Sequence, residues 1–349
     1  MFPQTSRPAR RLLLSVAAGA ATATAITTSF ALGNASISQA LAAPAAPAST
    51  GVTTLAPGGT SFQVFSPEEA AAAASSGRWK VLDVRPVPPL SYIGGHVPGA
   101  VHLSEQAFRG PNGRLPFQIW TPTKLASLLS QAGISNRDSV LVYSDGTDVL
   151  GTSLVSYILE KSGVRQVAIV NGGLSGYKAA SQPTTKAFPT FQFGSFRPTT
   201  VKGLAIPLNE LAPLIGKSNV VIIDPRPKAQ FEGTDQTFIR NGHIPGAKNI
   251  PWQTFTEANN ADEARKNPHK LKSVEEIKAL LVSRGITPDK EVIVSCSTGR
   301  EASLQFLTLK HLLKYPKVRI YEGSWTEYSA STLPIAVGPE GSPAQISSR

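Results

Sequence analysis

The chain has 349 residues, 41% hydrophobic and 16% charged, which suits two ordinary folded domains and excludes a fibrous or largely disordered protein. Its formal charge is +11, and removal of a leader carrying Arg7, Arg10 and Arg11 would leave +8. That surplus suits an anionic substrate, whereas the scatter of Lys and Arg, with no basic stripe or recognition motif, argues against nucleic acid as a partner.

At the N-terminus, Arg10-Arg11 precede an uncharged Ala-, Thr- and Leu-rich stretch from Leu12 to Leu41, and Ala40-Leu41-Ala42 offers small residues at a cleavable spacing. Residues 1–42 are expected to be an export signal, with a twin-arginine-like pattern and a plain secretory signal as the alternative. The mature protein is then expected to be periplasmic or secreted. No Cys follows the run closely enough for a lipid anchor, and no other segment approaches the roughly 20 apolar residues of a spanning helix, so no stable membrane insertion is expected. Residues 43–60 read as a flexible mature N-terminus.

From about Ser61 the same features occur twice. Val81-Leu82-Asp83-Val84-Arg85 reads as a short buried strand and is followed by Gly95-His96-Val97-Pro98-Gly99-Ala100. A helical stretch from Thr123 to Ala132 comes next, then strands at Ser139 to Tyr143 and at Val167 to Val170, the last ending at Gly172-Gly173. The second copy runs Val220 to Arg226, Gly242-His243-Ile244-Pro245-Gly246-Ala247, a helix over Ser273 to Arg284, and strands at Glu291 to Ser295 and Val318 to Tyr321, ending at Gly323-Ser324. Agreement in order and spacing marks a duplication. Short continuous apolar strands alternating with helices predict two α/β domains, each a mainly parallel sheet with helices on both faces. The expected domains are 61–181 and 201–335, with a tail at 336–349. The Pro-, Thr- and Phe-rich stretch 182–200 is expected to link them as a strap packed down by Phe188, Phe191, Phe193 and Phe196. The repeated Gly-His-x-Pro-Gly-Ala reads as a structural turn in which His96 and His243 satisfy backbone groups.

The candidate chemistry lies at Val294-Ser295-Cys296-Ser297-Thr298-Gly299-Arg300-Glu301, where a strand gives way to a short loop and then a helix. Cys296 is the sole cysteine, so no intramolecular disulfide is possible. A thiol at the C-terminal end of a parallel strand sits where open α/β sheets bind ligands. Loop amides and the helix N-terminus direct positive partial charge there, which is expected to lower the thiol pKa. Polar and charged neighbours distinguish Cys296 from a packed core thiol. The first copy has Ser144-Asp145-Gly146-Thr147-Asp148 at this place. It lacks a thiol, and its two carboxylates would repel an anion, so it is expected to be inactive and to serve as a wall of the cleft.

In this order, Asp224-Pro225-Arg226, Phe231-Glu232-Gly233-Thr234, Gly-His-Ile-Pro-Gly-Ala, the Cys-x-x-Gly loop and Glu322-Gly323-Ser324-Trp325 resemble the tandem-domain rhodanese superfamily of thiosulfate and 3-mercaptopyruvate sulfurtransferases. The resemblance covers about Ser61 to Leu333. It implies a Cys296 persulfide that takes sulfane sulfur from a small anionic donor and gives it to cyanide or a thiol. It also implies substrate contacts from Ser297, Thr298, Gly299, Arg300, Glu301, Arg226 and Gln230, with no cofactor or metal. Thiosulfate-specific relatives carry cations directly after the cysteine, where this chain has Ser297 and Thr298, and mercaptopyruvate-specific relatives usually carry Gly-Ser-Gly. Both kinds place an Arg where this chain has Gln230, removing a charged hydrogen bond of about 1.5–3 kcal/mol. Arg300 has two readings: a compensating donor contact, or a helix-start residue paired with Glu301 or Glu327. A cysteine phosphatase is disfavoured because Ala302, not Arg, stands six positions after Cys296. A sulfur carrier or thiol redox sensor on the same fold is the alternative to an enzyme. A monomer is expected.

Overall fold

The computed structural model describes residues 51–258, 260, 263 and 269–345, so the segment 1–42 expected to be an export signal lies outside the described residues. Thr53–Leu55 forms β1. The first half then contributes β2 (Ser61–Phe65), β3 (Trp79–Asp83), β4 (Val101–His102), β5 (Arg109–Asn112), β6 (Leu115–Ile119), β7 (Ser139–Tyr143) and β8 (Gln166–Val170). Five of these make a parallel sheet in the order β2-β8-β7-β3-β4, while β5 and β6 pair separately as an antiparallel hairpin. The second half contributes β9 (Thr199–Val201), β10 (Val220–Asp224), β11 (Lys248–Asn249), β12 (Glu291–Val294) and β13 (Val318–Ile320), and β14 (Ile335–Ala336) pairs with β15 (Ala344–Gln345). Its parallel sheet runs β11-β10-β12-β13, with one bridge from Ala205 to Ile320 at the position that β2 fills in the first half.

The duplication and the parallel α/β class are as the sequence predicts. Central strands such as Val-Ile-Ile-Asp and Glu-Val-Ile-Val are buried on both faces, which is why they show no polar alternation. Local chemistry sets the helix starts. The helix Pro122–Gln131 begins with Pro at its first turn behind a Thr121 cap, and Val274–Ser283 begins with a reciprocal Ser273–Glu276 capping box. One apolar cluster runs through both halves, joining Val142, Leu154 and Ile158 to Val294, Phe306 and Leu309. The helix Val149–Lys161 meets the helix Arg300–Leu307 there, with Tyr157 edge-on to Phe306 at 5.2 Å.

Two local expectations are corrected, and the tail gains detail. The stretch 43–60, expected to be flexible, contains β1, which pairs in parallel with β9. The strap is held only in part by its phenylalanines: Phe196 is buried and Phe188 stacks on Tyr92 at 6.0 Å, but Phe188, Phe191 and Phe193 stay largely exposed. Its backbone anchors it as well, through Gly194 N–H to Ser130 O and Thr185 to His96. The tail begins as an ordered strand pair, and Ala336 bridges the turn at His243.

Candidate active site

Strand β12 ends at Val294, and Cys296 follows at the C-terminal edge of the second sheet. Gly299 takes a left-handed φ of +87°, which lets the loop turn directly into the helix Arg300–Leu307. The Gly299 N–H then donates to the Cys296 Sγ at 3.0 Å, and the amides of Thr298 and Ala302 also favour negative charge there. The helix Ser324–Ala330 fixes the loop from behind. Trp325 N–H donates to the Cys296 carbonyl at 2.8 Å, and the Thr326 hydroxyl donates to the Ser297 carbonyl at 2.7 Å. Ser324 holds a left-handed φ of +53°, rare for a residue with a Cβ, at the turn that supplies these anchors.

The expected downward shift of the thiol pKa is corrected. Cys296 is fully buried, and burial pushes its pKa up. The Glu301 carboxylate beside it pushes in the same direction, outweighing the amides of Ala302 and Thr298. Glu301 Oε2 is itself buried without a hydrogen-bond partner among the described residues. The resting thiol therefore holds its proton inside an amide cradle that suits an anion.

Of the other expected site residues, Ser297, Thr298 and Gly299 line this loop, and the Ser297 hydroxyl donates to Gln230 Oε1 at 3.3 Å. Arg226 is placed differently. It is sealed in the interior, with Nε and Nη2 on the Asp224 carboxylate and Nη2 also on the Gly242 carbonyl at 2.8 Å. The first half builds the same brace from Arg85, Asp83 and Gly95 without having a thiol. The pair is thus accounted for as a fold element at the strand end, although Arg226 Nη1 has no hydrogen-bond partner among the described residues. His96 and His243 serve their turns as expected, with Nδ1 donating to the Tyr92 and Phe231 carbonyls at 2.9 Å each.

Arg300 pairs with neither Glu301 nor Glu327. Its Nε reaches both Glu105 carboxylate oxygens at 3.1 and 2.9 Å, and its Nη2 reaches both Asp148 oxygens at 2.8 and 2.7 Å. Both carboxylates come from the first half. Asp148 also caps the helix Val149–Lys161, while Asp145 is used locally by Gly146 N–H and Ser175. The thiol-less half therefore forms a wall of the site and holds the loop's own cation.

Sequence reasoning missed Arg109. It leads the β5–β6 hairpin and reaches across to the second half, where Nη1 donates to the Thr298 carbonyl at 3.3 Å and hydroxyl at 3.2 Å. Its guanidinium lies 5.4 Å from the Phe117 ring centre. Burial pulls the Arg109 pKa down, as does the Arg300 cation, while the Glu105 carboxylate favours its charge. No group of His, Cys, Asp and Glu capable of holding a metal occurs among the described residues.

A model of the rhodanese-like domain matches residues 66–180 and again 208–331. The chain is 60% identical over 278 residues to a Synechococcus elongatus protein named putative thiosulfate sulfurtransferase, covering 80% of this chain and 86% of that one. It is 29% identical to 3-mercaptopyruvate sulfurtransferase of Escherichia coli over 70% of this chain and 84% of the relative. A sulfur carrier protein of Thermus thermophilus is 31% identical, over 72% and 88% of the two chains. Among solved structures, the crystal structure of the Escherichia coli 3-mercaptopyruvate enzyme matches with a TM-score of 0.66 at 27% identity, over 77% of this chain and 100% of that one.

Proposed function

The chain belongs to the rhodanese family as a tandem sulfurtransferase of the thiosulfate and 3-mercaptopyruvate type, and on that premise we propose that Cys296 carries the transferred sulfur as a persulfide. The observation that carries this reading is the contact of Gly299 N–H with Cys296 Sγ at 3.0 Å, within a loop anchored by Trp325 and Thr326.

The reaction divides into two displacements. After the thiol loses its proton, the Cys296 thiolate attacks the outer sulfur of the donor. With thiosulfate, the donor S–S bond breaks and its electron pair leaves with sulfite, so the terminal persulfide sulfur retains the negative charge. The loop amides favour that charge without moving, and splitting one transfer into two lowers each barrier. Cyanide or a thiol then attacks the terminal sulfur, and the new S–S electron pair returns to Cys296 Sγ, which is reprotonated. Thiosulfate and 3-mercaptopyruvate are the proposed donor class. The reading is tested by thiocyanate formation from thiosulfate and cyanide. Turnover by the wild type and none by Cys296→Ser supports it, while equal rates from both proteins contradict it.

A second reading has its own support in the sealed, proton-holding thiol and in the 31% identical relative named as a sulfur carrier. A carrier loads Cys296 once and shows no multiple turnover with small acceptors. The Arg10-Arg11 pair and its uncharged run support export to the periplasm or outside the cell, and the apolar cluster shared by the two halves supports a monomer. Cell fractionation with antibody detection tests the location.

A further inference from the structure

Within the persulfide reading above, the unexplained element is the recognition of an anionic donor. Gln230 brings no charge to the loop, Arg226 is committed to Asp224, and Arg300 is committed to Glu105 and Asp148. The nearby Glu301 carboxylate opposes a negative guest. Arg109 is different. Among the described residues its side chain makes two hydrogen bonds, both from Nη1 and both to Thr298, and its Nε and Nη2 have no hydrogen-bond partner.

We propose that Arg109, supplied by the half that lacks a thiol, recognises the anionic end of the sulfur donor and favours doubly charged donors over singly charged ones. The cavity beside it is lined by Arg109, Phe117, Gln118, Leu154, Thr298 and Gly299 and has a volume of about 10 Å³. That is room for about one water molecule, smaller than thiosulfate. A donor therefore enters by parting the hairpin from the cysteine loop. Parting them releases Nη1 from Thr298 as the donor's oxygens arrive, so a planar fork of N–H groups faces the sulfonyl end while the outer sulfur points to Cys296. A guanidinium fits this task because its donors are rigidly spaced and its charge is permanent. The duplication thus divides the labour, with the nucleophile on one copy and the cation on the other.

The test compares thiosulfate, a dianion, with methanethiosulfonate, a monoanion that releases a sulfinate by the same chemistry. Arg109→Gln is expected to lose roughly ten-fold to a hundred-fold in kcat/KM for thiosulfate, the range of one charged hydrogen bond, and markedly less for the monoanion. Arg109→Lys is expected to recover part of the loss. Equal losses for both donors, or an unchanged thiosulfate KM, would assign Arg109 to holding the halves together and overturn the proposal. If Arg109→Gln does not fold, the donor ratio measured with Arg109→Lys decides: a ratio equal to the wild type's overturns it. Failure of the underlying reading has a different signature, namely that no donor places sulfur on wild-type Cys296.

Discussion

At Cys296 two electrostatic influences oppose each other. Loop amides favour the anion, while burial and Glu301 favour the proton, and the latter prevail. Because the thiol pKa is raised in the folded protein, its proton persists above the ordinary thiol pKa of about 8.5. Native alkylation by iodoacetamide is therefore expected to rise with pH and to continue rising beyond the range in which the unfolded chain has levelled off. Glu301→Gln removes one of the two upward influences and is expected to move that profile to lower pH. An unchanged profile would show that Glu301 does not sense the thiol. The thiol was identifiable from sequence because Ser, Thr, Gly and Arg surround it. The direction of its pKa was not, because burial comes from elements that close over the loop and leaves no mark in the eight residues around the cysteine.

Among the elements, the turn from β12 into the helix Arg300–Leu307 carries the site, and the hairpin and the helix Val149–Lys161 close it. Gly299 has space for a methyl group, with only the Glu322 carbonyl as near as 4.0 Å, so its left-handed φ is what requires glycine. Gly299→Ala is expected to cost about 1–2 kcal/mol of stability through that backbone conformation and to turn the amide away from Sγ. Chemical denaturation and turnover should fall together; a stable variant with low turnover would separate the two effects. Gly151 meets a tighter limit, since a Cβ there would lie 2.9 Å from Glu105 Oε2 in the carboxylate pair that holds Arg300. Strand positions, caps and the turns at His96 and His243 were legible because each depends on neighbours in sequence. The partners of Arg300 and Arg109 were not. Arg109 and Thr298 are 189 positions apart, and no periodic pattern states which faces of two similar domains will meet.

Across the whole molecule one large apolar cluster spans both halves, with charged fastenings beside it. Glu160 accepts from Lys310 Nζ at 2.7 Å and meets His311 Nε2 at 2.8 Å, while Glu322 accepts from Tyr157 and Lys161 at 2.5 and 2.6 Å. Burial alone would push the Glu160 carboxyl up, but His311 and Lys310 outweigh it and hold its pKa below the usual value. A depressed carboxyl pKa stabilises the fold fully above the unfolded value near 4.3, and that stability is lost as pH falls through the folded value. The wild-type Tm is therefore expected to drop on acidification below about pH 4.3, with a smaller drop in Glu160→Gln. At neutral pH the same substitution is expected to cost about 3 kcal/mol, because it leaves a buried cation without its partner. Parallel acid profiles for the two proteins would remove Glu160 from the fastening. Two related halves were legible in the chain, whereas the apolar cluster they share depends on which faces find each other.

The most direct test of the central claim is the intact mass of the native protein after thiosulfate treatment and removal of free donor. A gain of one sulfur atom, located at Cys296, removed by cyanide and absent from Cys296→Ser, is the expected result. Turnover of thiosulfate to thiocyanate with no sulfur ever found on Cys296, or with full activity in Cys296→Ser, would contradict a persulfide at this thiol.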